Sequence, residues 1–158
     1  MKKFEFTGET KTISLFFRTA TLHRIRAVAE FGLVKIGDLG GWIEKEENLS
    51  HEGKAWVWGN AEVCGDAKVC GDAEVFSASH VLVIGAIGSR DDFTTFFRDK
   101  DNEITVKCGC FIGKIDKFLE KVTQTHGDSK YALVYRAAVE VARLQIDLSG
   151  EAPKDADE

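Results

Sequence analysis

The stretch Gly85-Ala86-Ile87-Gly88-Ser89-Arg90 carries the clearest chemical potential in this sequence, and it follows an apolar run, Val81 to Ile84. Glycines let a ligand approach the backbone, free amides and a serine hydroxyl donate to phosphate oxygens, and an arginine clamps them bidentately. The stretch lacks the Gly-Lys-Ser/Thr ending of a P-loop. Thr94, Thr95 and Arg98 follow on the next apolar run and add hydroxyls and a second guanidinium. A second constellation is Thr125-His126-Gly127 with Lys130 one turn on; a histidine at a helix C-terminus sits where the dipole favours a cation. Arg24 and Arg26, two apart in a strand-like segment, fall on one side of it. The expected ligand-binding set is therefore Gly88, Ser89, Arg90, Thr95, Arg98, His126, Lys130, Arg24 and Arg26. Against it stand plainer readings: a strand-ending turn with a surface arginine, a helix-capping histidine, a solvated basic strand.

Catalytic and metal chemistry finds less support. No Ser/His/Asp order or paired carboxylates stand out. Cys64 and Cys70 lie six apart and Cys108 and Cys110 form a C-x-C, neither with the C-x-x-C spacing of a zinc site. No catalytic residue, metal or cofactor is expected, the cysteines read as reduced thiols, and Cys108 and Cys110 as core residues. His51 and His80 read as surface residues.

The elements that must position these groups show a six-residue rhythm. Between Ala55 and Val81, valines recur at 57, 63, 69, 75 and 81, alanines at 55, 61, 67 and 73, and glycines at 59, 65 and 71. Ile43 and Leu49 extend the rhythm upstream. A period of six suits neither a helix nor a two-residue strand alternation; it predicts a solenoid, a left-handed parallel β-helix of a little over two coils. So few coils require caps or a neighbouring subunit. Trp56, Trp58, Cys64, Cys70 and Phe76 lie outside the valine phase and are expected to form an exposed oligomer interface, of a trimer or dimer. Trp42 reads as packing over the first open coil.

The flanks differ. Phe4–Phe6 and Ile13–Phe17 are β-prone, and Leu22–Val28 with Phe31–Ile36 predicts a hairpin turning near Glu30 to Gly32. After Ser79, three strands are expected, over 80–88, 92–99 and 103–110, with a turn at 99–102. Ile104, Val106, Cys108 and Cys110 would share a face. Ile115, Phe118, Leu119 and Val122 have the spacing of one helix stripe, with Gly127 placed to stop it. Asp128 or Ser129 can cap a second helix, whose apolar residues include Tyr131, Val134, Tyr135, Ala138, Val141 and Ala142. The fold class is thus mainly β: the hexapeptide solenoid at 37–81, an N-terminal β cap at 1–36, an α+β unit of three strands and two helices at 82–148, and a disordered acidic tail at 149–158.

At 158 residues with 44% hydrophobic and 30% charged residues, the composition is that of a globular chain. A net charge of -5 argues against a general nucleic-acid binder, leaving room for a local basic pocket. No apolar run is long enough for a membrane span and no signal peptide is recognisable, so a cytoplasmic location is expected.

Residues 22–80, with Arg24-Ile-Arg-Ala-Val28, Gly37-Asp-Leu-Gly-Gly-Trp42 and the tandem Ala-x-Val-x-Gly units, resemble the short hexapeptide-repeat proteins of bacteriophages and prophages. That resemblance implies expression in an infected bacterial host. It makes three roles available. The first is a sponge that sequesters a nucleotide-derived signal of antiviral defence without catalysis; the others are a module that blocks a host protein or assembles in the phage, and an acyltransferase. Acyltransferases of the repeat class carry more coils and a loop excursion that this chain lacks, so the sponge reading leads.

Overall fold

The computed structural model describes residues 2–149, and the expected disordered tail lies, beyond Ser149, outside them. The chain opens with a long antiparallel hairpin, β1 (Phe4–Ser14) and β2 (Thr19–Ala27), followed by β3 (Leu39–Ile43). The hexads supply three two-residue strands, β4 (Trp56–Val57), β5 (Glu62–Val63) and β6 (Glu74–Val75). Four strands follow, β7 (Val81–Ile87), β8 (Asp92–Arg98), β9 (Ile104–Cys108) and β10 (Phe111–Lys114), then α1 (Ile115–His126) and α2 (Lys130–Gln145).

These strands form three separate sheets, ordered β1-β2-β3-β5, β4-β6 and β10-β9-β8-β7. The expected fold class, mainly β and built on a left-handed parallel β-helix, is corrected accordingly: the fold is mixed, with antiparallel and mixed sheets and two helices. Among the described residues parallel pairing is confined to Trp42–Glu62 and Ile43–Val63, Trp56–Glu74 and Val57–Val75, and an isolated bridge from Leu49 to Val69. The physical reason lies in the hexad itself. Gly59, Gly65 and Gly71 adopt φ of 54°, 65° and 64°, so much of each hexad is spent on a turn that other residues rarely make. Two residues of ladder remain.

The hexad phases nevertheless decide what is buried. Ala55, Ala61, Ala67 and Ala73 and Val57, Val63, Val69 and Val75 are all buried in one core, with Ile43 and Leu49. Asn48 ties successive turns together. Its side-chain oxygen accepts from the backbone N–H of Glu44 (3.1 Å) and Lys45 (2.9 Å), and its amide donates to the carbonyls of Gly65 (3.0 Å) and Ala67 (2.9 Å). The side chain is fully buried with all four bonds made.

The N-terminal cap also differs from expectation. The two β-prone runs fuse into β1 through an irregularity between Phe6 and Thr10, and the hairpin turns at Leu15–Arg18 rather than near Glu30. Residues 28–38 form a loop held by the Phe31–Val34 bridge and, at its base, by bonds of Ala27 with Gly37 and Asp38 and of Val28 with Lys3. That loop covers two of the hexad side chains expected to be exposed, Trp56 and Trp58. Trp56 and Trp58 are 1% and 8% exposed, Phe31 meets Trp56 edge-on at 5.3 Å, and Trp58 packs on Phe76 at 5.4 Å. The interface expected at Trp56, Trp58, Cys64, Cys70 and Phe76 is corrected: Cys70 and Phe76 pack on the hexad core, and Cys64 against Ala20, Leu22 and Trp42. Burial pushes both thiols up in pKa, leaving them protonated. Trp42 is buried beneath Lys11 and Arg24.

The histidines of the hexad segment are structural. His51 Nδ1 accepts from the Lys3 backbone N–H and its ring stacks on Phe4 at 4.2 Å. His80, buried, accepts from the Phe76 N–H at 3.0 Å. Burial lowers the pKa of both, which suits acceptors that must stay neutral.

The C-terminal layer has four strands, not three, because Phe111–Lys114 pairs back on β9. Cys110 therefore sits exposed in the two-residue turn rather than sharing the face of Ile104 and Val106. β8 is buried on both sides, as a strand between two layers must be: Phe97 joins the hexad core and Phe96 the helix core. The turn at 99–102 is anchored by Asp99, 2% exposed, which accepts from Thr105 Oγ1 (2.6 Å) and Lys114 Nζ (3.2 Å). Lys114 also reaches Asp101 (2.8 Å) and Glu103 (3.0 Å), and these carboxylates raise its pKa despite the opposing cost of burial. The α1 stripe of Ile115, Phe118 and Val122 and the α2 residues Tyr135, Ala138 and Ala142 pack on the sheet, while Tyr131 and Val141 face outward.

Candidate functional site

The 88–91 turn between β7 and β8 meets the C-terminal half of α1 across a cleft of about 210 Å³. Ser89 and Arg90 line it from the turn, Lys121, Thr125 and His126 from α1, and Phe111 and Tyr135 form aromatic walls. The two constellations singled out in sequence, 85–90 and 125–127, thus face one space. Helical spacing puts Lys121, Val122, Thr125 and His126 along one edge of α1, so the first residue of that edge adds a cation. Among the described residues Arg90 and Lys121 have no ion-pair partner, and Asp92 is the one carboxylate in the cleft wall.

Tyr135 sets the shape of the turn. A Cβ on Gly88 would lie 1.8 Å from its hydroxyl oxygen, and Gly88 has φ of 79°, so both space and backbone demand glycine here. Burial and then the neighbouring Cys108 raise the Tyr135 pKa and keep the hydroxyl neutral. His126 stacks on Tyr135 (centroids 5.7 Å, 28°) and tilts against Tyr131 at 5.7 Å, which fixes the imidazole plane at the rim. Arg90 rests over Gly109, where an added Cβ would lie 3.4 Å from Nη1. A cleft with two free cations, a serine hydroxyl and aromatic walls can hold a phosphate against the basic rim and a flat ring against the apolar floor.

The other expected ligands lie elsewhere. Thr95 accepts from the Lys68 backbone N–H at 3.0 Å, on the hexad side of β8, whereas Thr94 donates to Cys108 on the cleft side. Arg98 is buried, bonded to Asn102 (2.8 Å) and the Glu74 carbonyl, over the Phe76 ring. Lys130 is exposed at the start of α2 and does not line the cleft. Arg24 donates to the Gly40 carbonyl and lies over Trp42, and Arg26 pairs with Glu5 at 2.7 Å. Sequence reasoning missed Lys121, Phe111 and the wall role of Tyr135. The α1 periodicity could have flagged Lys121, which lies five residues before His126 and next to the buried Val122.

Among the described residues no group of three His, Cys, Asp or Glu side chains is placed to hold a metal, and no helix is long and apolar enough to cross a membrane. In comparison with known proteins, the chain matches no family model and no curated protein significantly.

Proposed function

We propose that this protein binds a small nucleotide-derived anion in the cleft between the 88–91 turn and α1, without transforming it. The observation that carries the reading is the convergence of unpaired Arg90 and Lys121 with Ser89 on a cleft walled by Phe111, Tyr135 and His126. A nucleotide offers the matching pair of surfaces, phosphate oxygens and a flat base. At about 210 Å³ the cleft falls below the span of about 300–1,000 Å³ usual for whole drug-sized ligands, so it suits one nucleotide moiety with the remainder outside. The resemblance of the Arg24–Val28, Gly37–Trp42 and hexad segments to phage repeat proteins supports a sponge role against a host antiviral signal, in a homo-oligomer in the cytoplasm of the infected cell.

Calorimetry with AMP, ADP-ribose and a cyclic dinucleotide tests this. Saturable binding of one of them, weakened at least about tenfold by Arg90→Ala and by Lys121→Ala, with intact ligand recovered after denaturation, is the expected result. Absence of binding at millimolar ligand, or recovery of an altered ligand, overturns it. A second reading, a module that docks on a host or phage protein, is favoured by Phe16 and Phe17, each 91% exposed at the β1–β2 hairpin tip. Loss of a co-purifying protein on Phe16→Ser/Phe17→Ser, with Arg90→Ala harmless, would favour it over the sponge.

A further inference from the structure

The β1–β2 hairpin ends in a turn whose two central residues are Phe16 and Phe17. The Leu15 N–H closes the turn on the Arg18 carbonyl at 2.7 Å, and the Arg18 guanidinium is clamped to Glu44 at 2.7 and 3.0 Å, so the tip is held in place. Central turn positions ordinarily carry Gly, Asn, Asp or Pro, which favour the turn itself. Here two phenyl rings stand edge to face at 4.5 Å, each 91% exposed. Exposed apolar groups of this size mark a contact surface, and rings already fixed lose little entropy when they are covered. The same chain holds a space of the right size for one of them. Residues 31–34 and Trp58 wall a cavity of about 160 Å³. An apolar cavity of about 150 Å³ is known to take a benzene ring. The charged groups that also line this one, Lys54, Asp72, Glu74 and Lys100, are two of each sign, so it favours neither a cation nor an anion.

The geometry points to a head-to-tail contact between copies of this chain, in which one ring of the Phe16–Phe17 tip fills the cavity of the next copy and the other covers the exposed Leu33 and Ile36 of the same loop. A chain cannot fill its own cavity. The tip immediately precedes β2 and the 28–38 loop immediately follows it, and nine residues at about 3.3 Å each put on the order of 25 Å between them. The tip of a second copy has no such tether. At about 150–250 Å² for each ring and as much again on the receiving side, the contact buries about 600–1,000 Å² in all, the size of a weak, reversible association. Because the two surfaces differ, the contact is heterologous, and its repetition closes into a ring or runs on as a chain. It shares no residue with the anion cleft.

Sedimentation velocity of the full-length protein, from micromolar to millimolar concentration, tests this. Association that grows with concentration is expected. Phe16→Ser/Phe17→Ser and, separately, Leu33→Arg should each weaken it at least about a hundredfold, the first by removing the rings and the second by setting a guanidinium where a ring must lie. All three side chains are exposed, so circular dichroism and thermal melting of the variants should match the parent; Ile36→Arg takes the place of Leu33→Arg if that variant does not fold. The decisive arm mixes the two variants. Each lacks one surface and keeps the other, so together they should form a one-to-one heterodimer that does not grow further. A protein that stays monomeric at millimolar concentration overturns the proposal, as does association that survives either substitution. A mixture without heterodimer does so too, since a symmetric tip-to-tip contact would give that result.

Discussion

The hexad segment and the C-terminal layer are stabilised by different means. In the hexads nearly every side chain able to do chemistry has been absorbed into structure: Asn48 bonds four backbone groups, His51 and His80 accept backbone N–H groups, and Trp56 and Trp58 are covered by the 28–38 loop. Strands of two residues cannot satisfy their own backbone by ladder alone, so side chains complete the hydrogen bonding. In the C-terminal layer the backbone is satisfied by a four-stranded sheet and two helices, and polar side chains at its end stay free. Ser89, Arg90 and Lys121 are such side chains. Where the backbone satisfies itself, side chains become available for ligands.

The sharpest way to break that contrast is Asn48→Ala. It strands the Lys45 N–H and the Gly65 and Ala67 carbonyls inside the hexad turns, whereas the Glu44 N–H keeps its bond to the Val63 carbonyl; at about 1–3 kcal/mol for each group left unsatisfied, partly relieved by water entry, a loss of about 4 kcal/mol is expected. Chemical denaturation followed by tryptophan fluorescence measures it, since all three tryptophans lie in or beside the hexads. A loss below about 1 kcal/mol would show that the turns do not depend on side-chain bonds.

Lys114→Met probes the other region at its one strongly coupled point. Asp99 would remain buried with its lysine removed, and Asp101 and Glu103 would lose their shared counter-charge. Breaking a buried pair costs about 3–5 kcal/mol, and the exposure of Lys114 lowers the expectation to about 2–3. Asp99→Asn in the same background should recover part of the loss, because it removes the stranded charge.

Gly88→Ala has a smaller effect on stability but should close the cleft, since the new methyl overlaps the Tyr135 hydroxyl and the residue keeps a φ that disfavours it. About 1–3 kcal/mol of destabilisation is expected, with loss of anion binding, and Tyr135→Phe does not relieve it, because the ring carbon Cζ still lies 2.3 Å from the new methyl. Equal binding by Gly88→Ala and the parent would dissociate the turn from the ligand.

How much of this could be read in the chain follows from the same contrast. Periodicity told which hexad residues are buried, because Val57, Val63, Val69 and Val75 repeat one environment; it could not tell how long the ladders are, and so it overstated the strands into a solenoid. The two helices were legible to within a residue or two, since the Ile115–Val122 stripe and Gly127 are local signals. The hairpin was misplaced because Phe4–Phe6 and Ile13–Ser14 look like separate strands until pairing with β2 joins them across Gly8. Trp56 and Trp58 were read as exposed because nothing local says that residues 28–38 fold back over them. At the cleft, Ser89, Arg90 and His126 carried their chemistry in residue type, whereas Tyr135 and Phe111 become walls only when α2 and β10 are docked.

The last and smallest effect concerns acid. Both histidines with lowered pKa belong to the hexad side, His51 and His80, and both serve as acceptors in the neutral form. A histidine whose folded pKa is depressed leaves the unfolded state binding more protons, so stability falls as pH drops below about 6.5 and continues to fall until the folded pKa is passed. Glu44 acts lower. The Arg18 guanidinium, bonded at 2.7 and 3.0 Å, and the Gly65 N–H hold its carboxyl down to about 2, so its contribution is complete above the unfolded value near 4.5 and is lost as pH falls toward 2. The carboxylates with lowered pKa in the C-terminal layer, Asp101 and Asp147, also titrate only in that lower range. Amide protection factors, taken relative to the intrinsic exchange rate at each pH, should therefore fall between pH 7 and 5 in the hexad segment before they do in β8 and β9. His51→Gln/His80→Gln should flatten that response and leave the step below pH 4.5 untouched, and a uniform loss of protection across both regions would mean that the two do not respond to acid separately.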